Sequence, residues 1–202
     1  MRGLALGSVL VSCFLLLAVR SSAGADPVAA AAGMRLTTLY RLDPLRSVIS
    51  LATGENGHEI QDFYVANRGS DIDFGNYGAD ALTVAIEESR LGSIVDLGTA
   101  DDLARRYGYK ESVGGGQGFA SLHLDSGRLV VTTAARGTFQ ALQEGKLLSQ
   151  RVASNTAAPA VLGHIYLVRI IDPRDHAFER IAKILVVAHV PNESVSIRWA
   201  PL

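Results

Sequence analysis

The C-terminal segment constrains the fold most. Three apolar runs, GHIYLVRII (163–171), RIAKILVVAHV (180–190) and SVSIRWA (194–200), are broken by Asp172-Pro173-Arg174-Asp175 and by Pro191-Asn192-Glu193. Side chains of a strand alternate between its two faces. That period places Ile184, Val186, Ala188 and Val190 on one face, and Val195, Ile197 and Trp199 alternate in the same way. The Pro-Asn-Glu connection is short enough for a hairpin, so the pattern predicts a packed antiparallel ribbon. In the first run both sets are apolar, Ile165 and Leu167 against Tyr166 and Val168, which predicts a strand covered on both sides. A sandwich or a closed barrel satisfies that requirement; one exposed sheet does not.

The remainder of the chain carries the same short-strand signature. RSVISLA (46–52) is followed by Gly54-Glu55-Asn56-Gly57, whose Asn-Gly pair suits a hairpin turn and predicts pairing with HEIQDFYVANRG (58–69). A polar connection, SDIDFGNYGAD (70–80), leads to LTVAIEE (82–88), with Leu82, Val84 and Ile86 on one face, and then to SIVDLG (93–98). FASLHL and GRLVVTT flank the turn Asp125-Ser126-Gly127. One helix announces itself: Thr99 and Asp102 have the spacing of a capping box ahead of LARRY. FQALQEGKLLSQ reads as a second short helix, and RVASNTAAPA as loop. Helices long enough for parallel crossovers are absent. The expected fold is therefore mainly β, an antiparallel sandwich or barrel-like sheet with one or two short helices. It should occupy 36–202 as a single domain, with the change of composition across 134–160 as a point of subdivision.

Residues 1–25 read as a cleavable signal peptide. Arg2 precedes an apolar run from Leu4 to Val19, and Ala23-Gly24-Ala25 offers small residues for cleavage. That run of 16 residues is shorter than the roughly 20 a bilayer crossing needs. Leu10-Val11-Ser12-Cys13 also resembles a lipoprotein processing box, but the apolar stretch after Cys13 departs from the polar linker that lipidation requires. The expected location is periplasmic or secreted, with 26–35 as a flexible leader and no stable membrane span after cleavage. Loss of Arg2 and Arg20 leaves 17 basic residues against 20 acidic ones. Such a balance gives no reason to expect nucleic acid as a partner. No cysteine remains beyond Cys13, so the domain depends on its core, and thiol catalysis and cysteine-ligated metals are excluded from it.

The motifs support recognition more than catalysis. In GYKESVGGGQGFASLHL (108–124) the glycines lack the Lys-Ser/Thr pair of a phosphate loop, although Gly115, Gly116 and Gln117 suit a ligand-contacting turn. Tyr64, Asn67, Arg68, Asn76 and Tyr77 combine flat apolar surface with hydrogen-bonding groups, which suits a small molecule, peptide or glycan. For a hydrolase the candidates are His123 as base, Asp96 as its orienting carboxylate and Ser121 as nucleophile. Ser121 and His123 share a strand face but stand about 6–7 Å apart along it, too far for a direct hydrogen bond. Asp71 and Asp73 are the weak candidates for a cation, and no cofactor is implied. The expected function is noncatalytic binding or an envelope-associated structural role, with an extracytoplasmic hydrolase as the alternative.

Overall fold

The computed structural model describes residues 34–56, 70–75, 79–86, 90–107, 122–126, 128–132, 139–141 and 155–202. They form twelve strands and one helix, all in a unit spanning Ala31–Leu202. β1 (Arg35–Tyr40), β12 (Ser194–Pro201), β11 (Asp175–Val190), β10 (His164–Asp172) and β5 (Leu91–Thr99) make a five-stranded sheet in that order. β2 (Val48–Ile49), β3 (Ile72–Phe74), β4 (Ala81–Val84) and β9 (Ala157–Pro159) make a second sheet, and β6 (Leu122–Asp125), β7 (Arg128–Thr132) and β8 (Phe139–Ala141) a third. Every pairing is antiparallel. The helix, α1 (Ala100–Tyr107), follows β5 directly.

The large sheet is apolar on both faces because its central strands alternate two apolar sets. Tyr166, Val168, Ile184, Ile197 and Trp199 face the β2–β3–β4–β9 sheet, where Ile49, Ile72, Phe74 and Leu82 complete one core. Ile165, Leu167 and Leu185 face the other way and are covered by Leu103 and Tyr107 of α1 and by Leu122 and Leu129 of the β6–β7 hairpin. The two-sided strand expected at 163–171 is β10, and the sandwich is the architecture observed. Buried Lys183 reinforces the second layer, since its Nζ donates to the Leu122 carbonyl at 2.6 Å.

Five local expectations need correction. The register of β11 against β12 shifts between Val186 and Ala188, a β-bulge. Beyond it Ala188 and Val190 are exposed, and His189 takes the inward position, its ring edge-on to Phe74. The polar connection 70–80 contains the buried strand β3, because the charge of Asp71 is neutralised inside the protein. The strand in 82–88 ends at Val84, where Ala85 turns to a φ of +54°. Finally, Phe139–Ala141 is a strand paired with β7, and Ala157–Pro159 extends the second sheet beside β4. The arm 58–69 of the expected first hairpin lies outside the described residues, although Asn56 does bridge back to Ile49. Gly92 permits the close approach of β4 to β5: a Cβ there would stand 2.5 Å from the Ala85 methyl.

Candidate functional site at the β5–α1 corner

The site arises where β5 becomes α1. Gly98 makes the turn at a φ of +76°, and a Cβ at that position would press to 2.7 Å from an Asp102 carboxylate oxygen. The turn is drawn in by Asp96, whose Oδ1 accepts the Gly98 amide at 2.7 Å. One residue later the predicted capping box forms. The Thr99 amide and hydroxyl donate to Asp102 Oδ2 at 2.8 and 2.7 Å, while Thr99 Oγ1 accepts the Asp102 amide at 3.2 Å. Two free amides at the start of the helix are thereby satisfied.

These hydrogen bonds from Thr99, followed by the bond from Arg105, pull the Asp102 carboxyl down to about 2. A depressed carboxylate stabilises the fold fully above its unfolded value of about 3.8, and that contribution disappears as pH falls toward about 2. The protection of the α1 amides, taken relative to their intrinsic exchange rate at each pH, is therefore expected to fall between those pH values, measured by NMR. In Asp102→Ala this acid step should be missing. An α1 whose protection stays constant across that window would overturn the assignment.

Opposite the turn, His164 begins β10. Its Nδ1 lies 2.9 Å from Asp96 Oδ2 and 3.1 Å from Oδ1. An ionised carboxylate only accepts, so Nδ1 supplies the hydrogen of this contact, and Nε2 is the ring nitrogen turned away from Asp96. Among the described residues Nε2 has no hydrogen-bond partner, and the His164 side chain is 25 % exposed. Alongside lies an open depression of about 470 Å³ lined by Asp96, Leu97, Gly98, Asp102, Arg105 and Arg106. Arg105 is paired to Asp102, and Arg106 donates to the Leu97 carbonyl. Two carboxylates and two guanidinium groups thus share one concave surface whose backbone is already fixed.

Of the candidates read from the sequence, Asp96 belongs to this site, but its histidine partner is His164 in place of His123. The latter is half-buried on β6, across from Val130. Asp71 and Asp73 are fully buried at β3, where Asp71 pairs with Arg90 at 3.2 Å and with Arg180 at 2.6 Å. A cation bound there would have to displace those guanidinium groups. No trio of metal-ligating side chains occurs among the described residues. Ser121, Tyr64, Asn67, Arg68, Asn76, Tyr77, Gly115, Gly116 and Gln117 lie outside the described residues. The sequence reading missed His164, Arg105 and Arg106. Sixty-eight residues separate His164 from Asp96, so no local pattern joins them, whereas the adjacent arginines were visible as the basic end of a capped helix.

No protein-family model, curated protein or solved structure matches the chain.

Proposed function

We propose that the protein is an exported, noncatalytic binding protein whose β5–α1 depression takes a small ligand carrying an anionic group beside hydrogen-bond donors, such as a short peptide or an acidic sugar. The observation that carries this reading is the mixed-charge lining of one open depression: Arg105 and Arg106 can meet a carboxylate while Asp96 and Asp102 accept from ammonium or hydroxyl groups. The capping box and the Asp96–Gly98 turn hold the two carboxylates in position before any ligand arrives, which lowers the ordering cost of binding. Residues 1–25 support the exported location.

The test is NMR titration of the protein with dipeptides and uronic acids at millimolar concentration. Shift changes should gather on Gly98, Arg105 and Arg106, and Arg105→Ala with Arg106→Ala should weaken binding by about tenfold or more, the scale of a lost charged hydrogen bond. Shifts unchanged by the double substitution would sink the reading. A second reading, hydrolysis, is favoured by one specific feature, the Asp96-oriented His164 with its open Nε2, which is the arrangement of a general base. Turnover of peptide or glycan substrates abolished by His164→Ala would establish it in place of binding alone.

A further inference from the structure

The His164–Asp96 contact can change its charge while its hydrogen bond stays in place. Nδ1 donates to Asp96, and Nε2, turned away from it, has no hydrogen-bond partner among the described residues. A proton added at Nε2 therefore breaks no bond and sets a full positive charge against the carboxylate. An irregularity in the sheet builds this arrangement: the register of β10 against β5 shifts between His164 and Tyr166, which sets His164 opposite Thr99, the residue that opens α1. The charged and titratable groups around the ring come from four elements. β5 supplies Asp96, and α1 lines the same depression with Asp102, Arg105 and Arg106. β10 adds the Tyr166 ring, 6.4 Å from that of His164, whose hydroxyl burial pushes up to about 12. β11 meets the start of β10 through the Val186 carbonyl, which accepts the Gly163 amide at 2.9 Å; its Lys183 donates to the Leu122 carbonyl and its His189 pairs with Asp80.

Within the depression Arg105 is paired to Asp102, and the hydrogen bonds from Thr99 hold that carboxyl down at about 2, so this pair keeps its charges throughout the range in which histidine titrates. What remains is Asp96 against Arg106. With His164 neutral these two charges balance. With His164 protonated, the imidazolium matches Asp96 and the depression is left with one net positive charge. We propose that His164 is a pH-dependent selector for the ligand site, so that the depression takes up a carboxylate in acid and releases it above neutral pH. The proposal rests on the binding reading given above and narrows its ligand class. A zwitterion needs Asp96 for its ammonium as much as Arg106 for its carboxylate, so protonation of His164 gives it no advantage. An anion without an ammonium group, such as a uronic acid, gains the whole effect. The sign follows directly: lowering the pH adds charge at His164 and strengthens anion binding, and raising it removes both.

The experiment titrates the full chain with glucuronate at about pH 5.5 and about pH 8, by calorimetry for affinity and by NMR for location. Affinity should be about three- to tenfold higher at the lower pH, the scale of one added charge a few ångströms from the ligand in a solvated cleft, and the difference should shrink in high salt. His164→Asn keeps an amide donor for Asp96 but cannot gain a proton, so it should bind with the weaker affinity at both pH values. A second reading uses the native protein alone. Because coupling between two ligands is reciprocal, saturating glucuronate should move the midpoint of the His164 ring titration up by about 0.5–1 pH unit. Equal affinity at both pH values, with shifts still gathered on Gly98, Arg105 and Arg106, would overturn the proposal and leave the binding reading standing. A pH dependence kept by His164→Asn and lost in His189→Asn would also overturn it, by assigning the effect to the Asp80 pair. Absence of binding at either pH would remove the binding reading and this proposal together.

Discussion

Asp71→Ala is expected to lower the stability of the fold by about 3–5 kcal/mol, the usual consequence of removing one partner from a buried ion pair. Asp71 is fully buried and joins three parts of the chain. Arg180 reaches it from β11 of the large sheet, Arg90 reaches it from the start of β5, and the Leu51 amide donates to its Oδ2 at 2.7 Å. Phe178 lies beneath both guanidinium groups, at 4.2 Å from that of Arg90 and 4.8 Å from that of Arg180. Alanine would leave both guanidinium groups against the Phe178 ring without the carboxylate they share, and the Leu51 amide without this acceptor. Asp71→Asn keeps an acceptor for Leu51 and should fall between alanine and the native residue. Urea unfolding measures both differences, and an alanine variant within about 1 kcal/mol of the native protein would refute the clamp. Against the 5–15 kcal/mol typical of a domain, the expected loss is a large share of the total.

The same cluster explains why β3 was not legible. A strand of three residues offers too few positions for a period to show, and Asp71 and Asp73 give 70–80 the composition of a solvated turn. What makes burial tolerable is a pair of arginines 19 and 109 residues away in the chain, which no local pattern reveals. The C-terminal ribbon was legible for the opposite reason: its strands are long, and their alternation repeats often enough to assign both faces. Even there the bulge at Val187 reversed the faces of the last three residues of β11, because an inserted residue leaves composition unchanged. The helix cap at Thr99–Asp102 could be read because all its partners lie within four residues. The Asp96–His164 pair depends on β5 and β10 lying side by side, a fact of topology, so only half of it was found.

Trp199→Ala should cost a comparable amount, about 3–5 kcal/mol, through lost burial and the cavity left behind. Trp199 is fully buried in the core between the large sheet and the β2–β3–β4–β9 sheet. On its own sheet it stands between Arg35 of β1 and Ile184 of β11, with the Arg35 guanidinium 5.2 Å from the ring centre. Its indole Nε1 donates to Thr37 Oγ1 at 3.3 Å, so truncation also removes a tie between β12 and β1. Trp199→Phe keeps most of the apolar volume and should lose far less; equal losses for the two variants would mean that the indole's size is not what the core requires. None of the residues lining the β5–α1 depression belongs to this core. Ligand affinity measured on the folded fraction of Trp199→Ala should therefore match the native protein, even as the unfolding midpoint drops. Affinity that fell in step with stability would place the binding surface elsewhere, on the sheet pair that Trp199 joins.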